Sequence, residues 1–109
     1  MQKVHEKDLK YRGGDSGVKY LFRGPNLDWG VLLFKPGETL GEHGHNQVEE
    51  TFYFLEGSAR MVVAGRSYQA QAGEAFRVEP KERHDIINDS REDVKVAFIK
   101  YPYLPEDKI

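Results

Sequence analysis

The chain has 109 residues, 31% of them charged and mixed in sign along its length, with a net charge of -2. That length holds one core and excludes two independent ones, and the lack of any Lys/Arg run argues against nucleic acid and anionic membranes as partners. The absence of cysteine excludes disulfides, thiolate catalysis and Cys-ligated zinc together.

The N-terminus, Met1 to Asp8, has no apolar h-region, and no stretch reaches the apolar length of a membrane span. The expectation is a soluble, cytoplasmic protein. Lys3 to Tyr11 supports at most a weak helical turn. From there to Lys100 no window carries a helical stripe, and glycine and proline punctuate the chain at short intervals: Gly13-Gly14, Gly24-Pro25, Pro36-Gly37, Gly57, Gly65, Gly73 and Pro80. Between them lie runs rich in Val, Phe, Tyr and Leu. Val18 to Phe22, Trp29 to Phe34, Thr51 to Leu55, Arg60 to Val63, Ala75 to Val78, a short Asp85 to Ile87, and Val94 to Ile99 read as strands. Pro36-Gly37 has the pattern of a type II turn. Glu56-Gly57, Ala64-Gly65-Arg66 and Gln71-Ala72-Gly73 read as hairpin tips, and Asn88 to Asp93 as a polar loop. Many short strands without helices predict an all-β fold, an antiparallel sandwich or barrel. Trp29 and Phe34 are expected in its core. Lys100 to Pro105, with two prolines, reads as an extended tail over an edge strand or a partner chain, or as a lid.

Three of the four histidines fall in one grammar: Gly37-x5-His43-x-His45-x4-Glu50-x6-Gly57, then Gly73-x10-His84-x3-Asn88. Three imidazoles and a carboxylate are a suitable ligand set for Fe, Mn, Ni, Co or Zn as one divalent ion. Residues two apart on a strand share a face, so His43 and His45 project together, and from Glu50 the same parity lines up Phe52 and Phe54. His84 arrives from a distant segment and meets the others only if the fold closes. Glu49 competes with Glu50: an unbroken strand from His43 favours Glu49. Counting six residues back from the hairpin Gly57, with a corner in between, favours Glu50. His5 belongs to no pattern.

Both segments resemble the two signature motifs of the cupin superfamily, the first over residues 37–57 and the second over residues 73–88. In the first, Gly37, His43, His45, Glu50 and Gly57 stand at the family's positions. In the second, Gly73, Pro80, His84 and Asn88 match, whereas Lys81 replaces a usual glycine and Arg83 a common proline. The resemblance implies a cupin-type β-barrel (a double-stranded β-helix or jelly roll), a single cupin domain across residues 1–109, a buried divalent metal on His43, His45, Glu50 and His84, and frequent homodimers. It leaves the reaction open. A dioxygenase- or decarboxylase-like metalloenzyme acting on a small anionic organic molecule is the leading expectation. A non-catalytic sugar-binding or sensory barrel, a sugar isomerase-like member, and a vestigial site are the alternatives. Arg60, Gln47, Tyr53 and Asn88 are candidate contacts to such a small-molecule ligand. The strands Val18 to Phe22 and Val94 to Ile99 are expected at sheet edges, where unpaired backbone invites a second copy and hence a homodimer.

Overall fold

A computed structural model describes residues 1–109. Eight strands follow one short 3-10 turn at Glu6–Asp8: β1 (Gly17–Arg23), β2 (Asp28–Phe34), β3 (Glu49–Glu56), β4 (Ser58–Val63), β5 (Arg66–Gln71), β6 (Ala75–Val78), β7 (His84–Ile87) and β8 (Val94–Tyr101). They form two antiparallel sheets, one of five strands in the order β1-β2-β8-β3-β6 and one of three in the order β5-β4-β7. Every strand expected from the sequence is present. β5 was not among the expected ones because its run Arg-Ser-Tyr-Gln-Ala-Gln turns only Ala70 inward and exposes the rest. Nothing in its composition alternates.

The sheets face one another across a core built by strand parity. Phe52 and Phe54 of β3, Val94, Val96 and Phe98 of β8, Met61 of β4 and Ile86 of β7 are buried and join one cluster. Fully burying side chains of this size stabilises the fold by about 1.5–3 kcal/mol each. The β3–β4 corner at Gly57 is close-packed: φ is +84°, and a Cβ there would lie 2.6 Å from the Asp93 carbonyl oxygen. Only glycine fits both conditions. The Pro36-Gly37 turn closes as expected, with the Glu38 amide donating to the Lys35 carbonyl at 3.0 Å.

Two expectations are corrected. Trp29 is 42% exposed, because Asp28, Gly30 and Leu32 take the inward parity of β2 and leave Trp29 on the outer face, stacked on Phe22; Phe34 is buried as expected. β8 lies in the middle of the larger sheet, between β2 and β3, whereas β1 is an edge.

Candidate metal centre

His43 and His45 lie outside the named strands, in a segment held by isolated bridges. His43 pairs with His84 and His45 with Lys108. The His43 amide donates to the His84 carbonyl at 3.0 Å and the His84 amide returns a bond at 2.7 Å, so the two motifs meet through their own backbones. β3 then begins at Glu49. Glu49 turns outward toward Arg77, 3.4 Å away, and Glu50 turns inward. The corner between His45 and Glu49 decides between the two carboxylates.

The ligating atoms of His43, His45, Glu50 and His84 all lie within 4.8 Å of one another. Glu50 Oε1 stands 3.0 Å from His84 Nε2, 3.2 Å from His45 Nε2 and 3.6 Å from His43 Nε2. Two donors each about 2.1 Å from a shared ion stand about 3.0 Å apart at neighbouring corners of an octahedron, and about 3.4 Å apart in a tetrahedron. The observed separations are of that size.

The tautomers sharpen the point. His43 Nδ1 faces the Gly41 carbonyl at 2.8 Å and His84 Nδ1 faces the Glu82 carbonyl at 3.1 Å. A carbonyl only accepts, so both Nδ1 atoms carry the proton, and a neutral ring then presents an Nε2 lone pair to Glu50. Lone pairs aimed at a buried carboxylate oxygen require a cation among them or extra protons on the rings. Burial opposes the charge on Glu50, but imidazole N–H groups donating to it outweigh burial and hold its carboxyl far below the usual carboxylate range. That balance needs protons on Nε2 as well as Nδ1, and a cation seated among Nε2 lone pairs would act in the same direction. The group stays anionic in a site that is nearly closed to water. The cluster is therefore one that can hold a metal ion, with backbone carbonyls orienting two of its rings in the way typical of metal-bound histidines.

A cavity of about 240 Å³ opens beside the cluster, with His43, His45 and Glu50 in its wall. Its far side is built by Tyr20, Asp28, Phe98 and Lys100 from the larger sheet, with Arg12 and Arg23 at the rim. The C-terminal tail supplies Pro102, Leu104, Pro105 and Lys108, so the tail walls the cavity, and its Tyr103 packs beside Gly24 at the end of the edge strand β1. It also clamps the ligand segment. Asp107 Oδ2 accepts from the Gln47 and Val48 amides at 2.7 and 3.0 Å, and Gly44 exchanges backbone bonds with Ile109.

The four residues expected to touch a ligand sit elsewhere. Arg60 has the outward parity between Ala59 and Met61 and lies 3.7 Å from Asp89. Tyr53, one residue out of step with Phe52, is on the outer face. The Gln47 side chain is exposed. Asn88 is fully buried and structural: its Nδ2 donates to the Phe34 and Glu92 carbonyls at 2.9 and 2.8 Å. His5 is exposed, and its Nδ1 accepts from the Lys7 amide at the start of the 3-10 turn. The residues that do line the cavity carried a signal: Asp28 shares the parity of Leu32 and Phe34, and Lys100 that of Val96 and Phe98. Extending both strands by one or two residues would have placed two charges on the inner face.

Comparison with known proteins agrees with this architecture. A family model described as "Cupin domain" matches residues 30–100. A protein named "Polyketide synthase CurC" from Streptomyces cyaneus is 26% identical over 80 residues, which is 73% of this chain and 52% of that protein. The chain thus spans about half the length of that relative. Among solved structures, a double-stranded β-helix protein of Klebsiella pneumoniae superposes with a TM-score of 0.85 at 16% identity, covering 100% of this chain and 96% of that one. A "predicted oxalate decarboxylase" of Thermotoga maritima gives a TM-score of 0.78 at 19% identity, covering 93% of this chain and 99% of that one. At such identities the structures speak for the fold alone. With both motifs in place, the barrel closed and the family model spanning residues 30–100, the chain belongs to the cupin domain family.

Proposed function

We propose that this chain is a metal-dependent cupin of the dioxygenase- or decarboxylase-like kind, holding one divalent ion (Fe, Mn, Ni, Co or Zn) on His43, His45, Glu50 and His84 and acting on a small anionic organic molecule. The observation that carries the reading is the convergence of three Nε2 atoms on Glu50 Oε1, with two Nδ1 protons committed to backbone carbonyls. A divalent ion there supplies Lewis-acid polarisation of a chelating oxygen and, if redox-active, dioxygen activation. The chain's own contributions are separate. Glu50 and the rings set the donor geometry, the Gly41 and Glu82 carbonyls fix the tautomers, and the tail with Phe98 and Leu40 limits water around the cavity. One carboxylate against a divalent ion leaves a positive site, and basic side chains stand at its rim, so an anionic guest is favoured. The solved structure described as a "predicted oxalate decarboxylase", on the same fold, is consistent with a short acid as substrate.

Binding without turnover is a second reading, and one observation favours it. Apart from the cluster, the only carboxylate lining the cavity is Asp28, and its Oδ1 already accepts from the Gly24 amide. No uncommitted carboxylate faces a guest. Elemental analysis followed by a screen of short organic acids for dioxygen uptake and carbon dioxide release separates the two. Stoichiometric Fe or Mn with acid-dependent gas exchange supports the enzyme, whereas thermal stabilisation by an acid without gas exchange supports the binding module.

No helix of the chain is long and apolar enough to cross a membrane; a cytoplasmic setting is part of the same reading. So is a homodimer, now through the outer face of the larger sheet, where Trp29, Tyr53, Leu55 and Ile99 are 40–47% exposed. A second copy related by a two-fold axis would cover that band.

A further inference from the structure

Lys100 is paired with Glu50 across β3–β8 and with Asp28 across β2–β8, and Asp28 is paired with Arg23 across β1–β2. Directly opposed residues share a face. Arg23, Asp28, Lys100 and Glu50 therefore form one row, alternating in sign, at the cavity end of the inner face. The next row on that face is Tyr20, Gly30, Phe98 and Phe52. Gly30 leaves room: a Cβ there would sit 2.8 Å from the Phe98 ring. Tyr20 and Phe98 consequently meet edge to face, with centroids 5.6 Å apart at 83°.

Three cationic heads gather on the Tyr20 ring so positioned. Arg23 Cζ lies 4.6 Å from its centroid, Lys100 Nζ 5.3 Å and Arg12 Cζ 6.0 Å. Lys100 Nζ also donates to the Tyr20 hydroxyl at 3.1 Å. Lys100 has Asp28 at 3.9 Å as partial compensation, and Glu50 is committed to the imidazoles. Neither guanidinium pairs with a carboxylate: the arginine ion pairs of the chain involve Arg60, Arg77 and Arg83. Each brings five N–H donors in a planar fork suited to a carboxylate. Like charges collected around one ring repel, and an anion among them relieves that repulsion. All three line the same cavity as His43, His45 and Glu50.

We propose that Arg12, Arg23 and Lys100, arranged around Tyr20, form a carboxylate subsite beside the metal cluster, so that the ligand is a short dicarboxylate with one end chelating at the cluster and the other on the guanidiniums. This deepens the functional reading above and rests on it for the chelating end. Isothermal titration of the full chain, Mn(II)-loaded and metal-free, with 2-oxoglutarate and with 2-oxopentanoate tests it. The two probes share a chelating 2-oxo acid and chain length, and differ in the second carboxylate. The loaded protein is expected to bind the diacid at least tenfold more tightly. In the double variant Arg12→Gln, Arg23→Gln that preference falls below about threefold, the diacid losing more affinity than the monoacid. Both arginines are exposed and free of ion pairs, so the variant retains the fold. Equal affinities, undetectable diacid binding, or a preference that survives the double substitution overturns the proposal. A diacid preference that persists without metal and vanishes in the double variant supports the subsite and instead sinks the metal reading.

Discussion

At the scale of single residues, burial and hydrogen bonding divide the motif residues into two groups with different failures on substitution. Asn88 is wholly enclosed, donating to two carbonyls and accepting from the Ser90 amide at 3.0 Å. Asn88→Ala leaves those groups unpaired and is expected to cost about 1–3 kcal/mol, read as a lowered urea midpoint, with metal content per folded chain unchanged. Loss of metal without loss of stability would contradict a structural role. Glu6 and Lys95 form an ion pair that ties the 3-10 turn to the start of β8. The hydrogen bond from Lys95 holds the Glu6 carboxyl below its usual range, and the same bond raises Lys95. A lowered acid stabilises the fold above its unfolded value and loses that contribution as pH falls through the folded one. Glu6→Gln should therefore cost about 0.2–1 kcal/mol at pH 7, discounted for partial exposure, and the gap between the two proteins should close toward pH 3. A gap that widens in acid would reverse the sign. The clustered residues His43, His45, Glu50 and His84 were legible in the sequence because type and spacing recur together. Arg12, Arg23 and Lys100 were not, because their convergence depends on cross-strand register and on side chains reaching back over Tyr20, which no linear spacing encodes.

At the scale of elements, parity explains both what was readable and what was not. β3 and β8 alternate cleanly enough that Glu50, Phe52 and Phe54 could be assigned to one face beforehand, and the structure buries all three. β5 exposes five of its six residues and carried no pattern to read. The position of β8 in its sheet is a property of topology, and an apolar run looks the same whether it ends up central or at an edge. The tail is the clearest case. Two prolines marked it as irregular, yet its docking on His43 to Val48 depends on Asp107, a residue with no local signature. Because Asp107 Oδ2 accepts two amide protons from the segment that follows His45, it holds the corner that carries Glu50 inward. Asp107→Ala removes charge-assisted bonds worth about 1–3 kcal/mol. Part of that loss should appear as a three- to tenfold weaker metal affinity, about 0.7–1.4 kcal/mol, with far-ultraviolet dichroism unchanged. An unaltered metal affinity in that variant would show that the clamp and the site are independent.

For the whole molecule, two surfaces compete to explain how a small barrel is completed. The N-terminal segment folds back on the outer face, where the Lys19 ammonium donates to the Glu6 carbonyl at 2.8 Å and lies 4.1 Å from the Tyr11 ring centroid. The band of Trp29, Tyr53, Leu55 and Ile99 stays open beside it. If a second copy covers that band, light scattering at micromolar concentration gives about twice the 12.5 kDa chain mass, and Tyr53→Lys, Ile99→Lys returns it to the monomer value. A monomer mass for the unsubstituted chain would leave the N-terminal segment as the only cover. The fold class could be read from strand spacing and two motifs, whereas assembly turns on which apolar side chains the sheet leaves outside. The central claim concerns the buried cluster, and metal stoichiometry tests it most directly. After loading with Fe(II), Mn(II) or Zn(II) and removal of free ion, the chain should hold one ion per molecule, and Glu50→Gln and His84→Ala should hold close to none while keeping their β-sheet dichroism. Full occupancy in either variant, or no stoichiometric ion in the unsubstituted chain, would contradict a metal centre at His43, His45, Glu50 and His84.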